Sequence, residues 1–266
     1  MPTALSYIVW EASPTVFRIG LWSLGWYGLM WGLSVFLGYL QTLTIYRREG
    51  LATGYAAVLA EYVFFSGLIG ARMGQVIFYD WAYFSQSPIE ILKVWHGGLS
   101  SHGGALGILI GGWLFLRRYP HIGYMRLLDI LALGAPLVGM LIRIGNLFNS
   151  EIVGKQTDVP WAFIFALNGD AVPRHPSQLY EALMLLGVWL LLWCLYATRR
   201  LPTGMLTGLF FALTFSLRFV LEYWKADAQF TQLLNLPLAA VGVAICVWAA
   251  QKKGHLPHED KAQSGA

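Results

Sequence analysis

The sequence predicts an all-α fold, a polytopic transmembrane helical bundle of seven spans. Three observations carry that expectation. Only 12% of the 266 residues are charged while 57% are hydrophobic, and the mean hydropathy is +0.55. A soluble domain carries about 25% charged residues, so this chain cannot cover a water-soluble surface of its size. Apolar runs of the length a bilayer demands, about 20 residues, recur along the chain. The basic residues then fall in a regular alternation between those runs. The same arithmetic excludes a disordered chain, a coiled coil and a nucleic-acid-binding domain. The net charge of +4 and pI of about 9.1 therefore need another explanation.

The spans are read in order. Ile19–Tyr46 contains no charged residue and is the first. Met1–Arg18 lacks the basic n-region of a signal peptide and carries Glu11, Pro14 and Arg18. Further spans are expected at 56–79, 98–116, 126–149, 178–198, 203–222 and 229–251. The loop of about 150–174, between spans four and five, is the longest and forms a small extracytoplasmic head. Residues 1–251 are expected to make a single transmembrane domain, and the polar 252–266 reads as a disordered cytoplasmic tail. The small-residue pairs Gly28/Gly32, Gly70/Gly74 and Gly107/Gly111 suit close helix packing. Cys194 and Cys246 have no partner or metal-ligand spacing and read as apolar core residues.

Seven spans place Arg47, Arg48, Arg117, Arg118, Arg126, Arg199, Arg200, Lys252, Lys253 and Lys261 on one side. Arg18, Lys93, Lys155, Arg174 and Lys225 fall on the other, together with half of the 14 acids. The positive-inside rule puts the N-terminus outside and the C-terminus in the cytoplasm. The basic balance is an orientation signal.

Seven charges remain inside spans: Glu61, Arg72, Asp129, Arg143, Glu181, Arg218 and Glu222. Each costs a few kcal/mol on insertion scales and needs a partner or a watered cavity. Mutual neutralisation is the plain alternative for Glu61 and Asp129, and Arg218 with Glu222 can pair along one helix face. Arg143 has no acid three or four residues away, but has Asn146 at i+3 and Asn149 and Glu151 just beyond. All are expected toward the outer ends of their spans, where they can share a cavity. Arginines there suit a lipid-borne phosphate, since the guanidinium offers planar paired donors and stays protonated. On that side the third span opens with His96-Gly-Gly-Leu-Ser-Ser-His102-Gly103-Gly104. Glycines beside His102 let backbone N–H groups approach an anion at a helix start. A second outer element is Arg174-His-Pro-Ser-Gln-Leu-Tyr-Glu181, with Gln178 and Glu181 on one face.

No Walker A loop, Asp-rich metal motif, HExxH or GxSxG is present. No metal and no cofactor is expected. Attack at carbon with phosphate leaving requires a base for the nucleophile and cations for the phosphate.

These segments resemble the prolipoprotein diacylglyceryl transferase family. The matching stretches are Trp26-Tyr27-Gly-Leu-Met30, Gly70-Ala-Arg72-Met-Gly74 with Phe78-Tyr79, and Gly97-Gly-Leu-Ser-Ser-His102-Gly103-Gly104. They continue with Arg143-Ile-Gly-Asn146-Leu-Phe-Asn149, Glu151 and Gly154, the Arg174–Glu181 block, and Arg218-Phe-Val-Leu-Glu222. The Arg-x-Gly-Asn and His-Pro-Ser-Gln-Leu-Tyr-Glu blocks are the specific ones. The chain departs from the family's pattern at His96, Lys225 and Thr231, and its head is short.

The resemblance implies transfer of the diacylglyceryl group of phosphatidylglycerol to the lipobox cysteine of a bacterial prolipoprotein signal peptide. A thioether forms, glycerol phosphate is released, and lipoprotein maturation begins. The implied location is the bacterial cytoplasmic (inner) membrane, multi-pass, with the lipid bilayer as partner and no nucleic acid. A thiol titrates near 8.5 and an imidazole near 6.5, so His102 is expected as base or orienting group. Arg143 and Arg218 are expected to hold the phosphodiester. Tyr27, Asn146, Glu151 and Glu222 would orient the headgroup or the arginines, with Arg72, Gly103, Gly104 and Gly154 as further substrate-binding positions and Glu181 beside them. The competing expectation is a transporter or channel for an anionic solute using the same arginines. Such proteins commonly show internal repeats, and none stands out here.

Overall fold

A computed structural model describes residues 7–20, 22–169, 171–198, 201–226 and 229–252. The chain divides into two compact units. The described parts of Met1–Gly38 and Leu128–Ala266 make one, and Tyr39–Leu127 makes the other. The helices are α1 (Trp26–Arg48), α2 (Gly54–Phe78), the short α3 (Trp81–Gln86), α4 (Ser101–Arg118), α5 (Tyr124–Phe148), α6 (Ser177–Thr198), α7 (Met205–Leu221) and α8 (Gln229–Gln251). Basic doublets close α1 (Arg47, Arg48) and α4 (Arg117, Arg118), where the partial negative charge of a helix C-terminus favours cations.

Among the described residues, six helices are long and apolar enough to cross a membrane: α1, α2, α5, α6, α7 with its 3₁₀ extension to Trp224, and α8 from Gln232. The expected third span, α4, has 18 residues and carries His102, five glycines and the terminal Arg117–Arg118. Its length of about 27 Å is just below the apolar thickness of a bilayer, and its glycines and charges dilute its hydropathy. The expected tail lies outside the described residues beyond Lys252.

The first span is corrected at its start. The expected Ile19–Tyr46 helix begins only at Trp26, because Thr15–Ile19 (β2) and Trp22–Gly25 (β3) pair as an antiparallel hairpin. β-branched and aromatic residues favour extended backbone there, and Gly20 has the positive φ of +58° suited to the turn. Strands also supplement the helical fold in the head. Ile8–Trp10 (β1) pairs parallel with Phe163–Phe165 (β4), which pairs antiparallel with Pro173–Arg174 (β5). The head thus recruits the N-terminal segment as well as 150–174. Trp10 stacks on Phe163 and donates its indole N–H to the Leu147 carbonyl at 3.1 Å, which ties the head to the end of α5.

Glycine sets two helix crossings. A Cβ on Gly70 would meet the Gly103 carbonyl oxygen, and would sit 2.7 Å from the Gly107 Cα, so α2 and α4 touch backbone to backbone. A Cβ on Gly208 would stand 2.7 Å from the Cys246 backbone nitrogen, which fixes α7 on α8. Gly28 and Gly32 differ from the expectation, since an added Cβ at either meets nothing within 4 Å. Cys246 packs against Gly208 as a half-buried residue, whereas Cys194 is exposed and corrects the expectation that both lie in the core. Asp129 does not join the arginines. It lies in the second turn of α5 and caps the start of α7, accepting from the Gly204 and Thr207 N–H groups at 2.7 and 2.9 Å. It caps a helix N-terminus. Glu61 is exposed in the first half of α2, away from that helix's C-terminal end.

Candidate functional site

The C-terminal ends of α5 and α7 and the first turns of α6 bring the isolated charges into one chain. Arg143, on the penultimate turn of α5, pairs through Nε with Glu181 Oε2 from α6. This is the acid that Arg143 lacks three or four residues away on its own helix. The other Glu181 oxygen pairs with Lys225 Nζ, which also donates to Glu222 Oε1 at 2.9 Å. Glu222 Oε1 then faces Arg218 at 3.4 Å. Glu181 and Glu222 are each 2% exposed and Lys225 8%. Burial of ions at this depth is tolerable only where each has a partner.

Two carboxylates here answer three cations, and Arg218 is the least satisfied. Its buried Nε has no hydrogen-bond partner, and its contact with Glu222 is long. The direct ion pairs from Arg143 to Arg218 leave one positive charge in excess and an unspent N–H donor, with Glu151 reached from Arg143 only through Asn146. A monoanion with several acceptor oxygens complements both.

The other end of the chain is held by backbone strain. Arg143 donates to Asn146 Oδ1 at 3.2 Å, and Asn146 Nδ2 donates to Glu151 Oε2 at 3.1 Å. Asn149 takes the second Glu151 oxygen at 3.0 Å. Glu151 lies between Ser150 and Ile152, whose φ values are +54° and +55°. A β-branched residue at positive φ is a genuine outlier and needs support. Ser177 and Gln178 at the start of α6 supply it, donating to the Ile152 and Glu151 carbonyls at 2.6 and 2.5 Å. The Pro-Ser-Gln sequence therefore serves the loop that aims Glu151. Tyr27 lies over Gly145, where a Cβ would come 3.0 Å from the ring, and its phenol is within electrostatic range of Glu151 and Arg143.

Gly154 acts through packing. A Cβ there would stand 2.6 Å from His175 Cβ and 2.8 Å from the Trp224 carbonyl oxygen. The close approach allows the Gly154–Lys225 bridge, and Lys155 N–H donates to the Trp224 carbonyl at 2.8 Å. That bridge places Lys225, which lies in a loop of the expected span pattern. Its i,i+3 spacing from Glu222 was the available signal.

Beside Gly154, His175 Nδ1 meets the Tyr180 hydroxyl at 3.1 Å, and that hydroxyl accepts from the Trp161 indole at 2.8 Å. Burial pushes the His175 imidazole below its ordinary value. The unfolded chain therefore takes up this proton first as pH falls. The stabilisation is complete above about 6.5, the unfolded value, and is lost as pH drops through the folded one. Thermal melts of the detergent-solubilised protein should show a lower Tm at pH 5.5 than at 7.5. The His175→Gln variant should show a smaller difference.

In the unit Tyr39–Leu127, Arg72 has a structural use for every donor. Nε donates to the Ile91 carbonyl at 2.9 Å and Nη1 to Gly97 and Gly98 at 2.7 and 3.0 Å. Nη2 takes the Glu90 and Lys93 carbonyls. All five guanidinium N–H groups are spent on the segment that leads into α4, and Arg72 is 4% exposed. It organises that segment, with Gly97 and Gly98 turning at φ +85° and +72°. His102 stands exposed in the first turn of α4. Gly103 and Gly104 face α2 instead of an open approach: a Cβ on Gly103 would lie 2.8 Å from Gly74 Cα, and one on Gly104 3.4 Å from the Ala71 Cβ. The Gly104 N–H is already spent on the Ser100 carbonyl at 2.9 Å.

Fold and site together define a multi-pass helical membrane protein with a buried, cation-rich ion-pair chain able to receive an anion. Residues 14–248 match the family model for prolipoprotein diacylglyceryl transferase. The phosphatidylglycerol–prolipoprotein diacylglyceryl transferase of Tolumonas auensis is 38% identical over 92% of this chain and 99% of its own length. Proteins of the same name from Chloroherpeton thalassium and Porphyromonas gingivalis are 39% and 35% identical, over 90% and 94% of this chain and 93% and 97% of theirs. The chain belongs to the prolipoprotein diacylglyceryl transferase family. A transporter or channel is not favoured.

Proposed function

We propose that this protein transfers the diacylglyceryl group of phosphatidylglycerol to the lipobox cysteine of a prolipoprotein signal peptide in the bacterial cytoplasmic membrane. α4 crosses as the third of seven spans, the N-terminus and head face outward, and the tail is cytoplasmic. The observation that carries the reading is the ion-pair chain with its surplus cation and the unspent Arg218 Nε. A phosphodiester is a monoanion and meets that surplus.

The cysteine sulfur attacks the glyceryl carbon that bears the phosphate. The C–S bond forms, the C–O bond breaks, and the oxygen leaves with its electron pair on glycerol phosphate. Arg143 and Arg218 bind the phosphodiester and stabilise the charge growing on the leaving phosphate, an interaction stronger in the transition state than before it. Glu181, Lys225 and Glu222 fix the two guanidinium groups, and Asn146, Glu151 and Tyr27 orient the headgroup. Gly154 positions Lys225, and Gly103 and Gly104 position the start of α4. Arg72 holds the segment before His102, and His102 accepts the thiol proton.

Incubation of the purified protein with phosphatidylglycerol and a lipobox peptide tests the reading. The peptide should gain a diacylglyceryl mass, and an unchanged peptide would refute it. For His102, the His102→Asn variant should be strongly slowed at pH 7 and recover toward pH 9, where free thiolate is plentiful. An equal deficit at every pH would make His102 a positioning residue.

A further inference from the structure

We infer that the groove between α6 and α7 is the seat of one acyl chain of the phosphodiester lipid donor. The inference rests on the reading just given and adds where the lipid tail lies. The groove has a volume of about 390 Å³ and is lined almost wholly by apolar side chains. Leu183, Met184, Gly187 and Leu191 form its α6 wall, with Leu217 and Leu221 among those facing them from α7.

Its position singles it out. Glu181 lies one turn before Met184 on α6, and Arg218 lies between Leu217 and Leu221 on α7. The groove therefore starts beside the ion-pair chain and runs along α6 from Leu183 to Leu191, about 12 Å at the helical rise. A lipid whose phosphate met the free Arg218 Nε would have an apolar lane leading directly away from it.

Gly187 provides an independent observation. It lines the groove and is exposed, and a Cβ added there would meet nothing within 4 Å. Glycine inside a helix is less stable than alanine by about 1 kcal/mol. At Gly70 and Gly208 close backbone contact accounts for glycine; Gly187 shares its lack of contact with Gly28 and Gly32, and of these three it is the one that lines the groove. The missing side chain serves to keep the lane open.

The test fills the lane. The Gly187→Phe and Gly187→Ala variants and the wild type are given lipobox peptide with either dioleoyl- or dihexanoyl-phosphatidylglycerol. For Gly187→Phe, KM for the dioleoyl donor should rise about tenfold, the equivalent of 1.4 kcal/mol. Its turnover with the dihexanoyl donor and its melting temperature should match the wild type, and Gly187→Ala should behave as wild type throughout. Equal kinetics of all three proteins on the long-chain donor would overturn the assignment, as would an equal loss of Gly187→Phe on both donors. Photo-crosslinking with a mid-chain diazirine phosphatidylglycerol gives a second readout. Label should fall on Leu183–Leu191 and Leu213–Leu221 and be competed by phosphatidylglycerol and not by phosphatidylcholine. Equal competition by both would mean ordinary annular lipid and overturn the assignment. No product from the wild type with either donor, alongside selective crosslinking, would locate the failure in the proposed reaction instead of the groove.

Discussion

Replacing Arg218 with alanine should lower kcat for diacylglyceryl transfer by about 10²–10³, the loss typical of one donor aimed at developing negative charge. The size follows from what Arg218 does in the resting protein. Its side chain is 30% exposed, its single ion pair to Glu222 is 3.4 Å long, and its buried Nε is unpartnered. The contact resembles a partly exposed pair, worth about 0–1 kcal/mol to folding. The group is held in place mainly for something that arrives. The melting temperature of Arg218→Ala should therefore stay within a few degrees of wild type while activity collapses. Arg218→Lys keeps the charge but loses the planar fork, and should recover only part of the rate. Transfer by Arg218→Ala within threefold of wild type would remove Arg218 from the phosphate site.

Lys225→Met should have the opposite signature, a large loss of stability. Removing Nζ leaves Glu181, 2% exposed, with Arg143 alone, and leaves Glu222, equally buried, with the longer Arg218 contact in place of its 2.9 Å partner. Breaking a buried pair from one side typically costs about 3–5 kcal/mol. Chemical denaturation of the purified protein should register that loss through a lower midpoint. Lys225→Arg should stay near wild type. The double variant Lys225→Met/Glu222→Gln should be more stable than Lys225→Met, since it removes a buried carboxylate that has lost its closest cation. A Lys225→Met midpoint equal to wild type would show that the two acids do not depend on this lysine.

The long apolar spans were legible because bilayer thickness fixes their length, and α2, α5, α6 and α8 fall close to the expected ranges. The start of α1 was not legible, since Ile19–Gly25 is as apolar as a helix and only pairing with Thr15–Ile19 makes it a hairpin. Arg143 was singled out as a cation without a local acid, and its partner, Glu181, lies on another helix. Sequence spacing along one helix reports nothing of such a contact. The same limit hid Lys225, placed by the Gly154–Lys225 bridge, and the helix-capping role of Asp129. Arg72 looked like another anion site because a charge inside an apolar run demands a partner. Backbone carbonyls of a folded loop meet that demand as well as a ligand would, and a sequence does not distinguish them. Gly103 and Gly104, expected as ligand access, pack against α2, while Gly187 has open space beside it.

In the proposed reaction sulfur displaces phosphate at carbon, and Arg143 and Arg218 receive the charge. The most direct measurement uses phosphatidylglycerol carrying ¹⁸O in the bridge between the diacylglyceryl carbon and phosphorus. The purified protein and a lipobox peptide are added, and both products are weighed. The peptide should become heavier by an unlabelled diacylglyceryl group, and the glycerol phosphate should retain all the ¹⁸O. An unmodified peptide, or ¹⁸O appearing with the diacylglyceryl fragment, would contradict it.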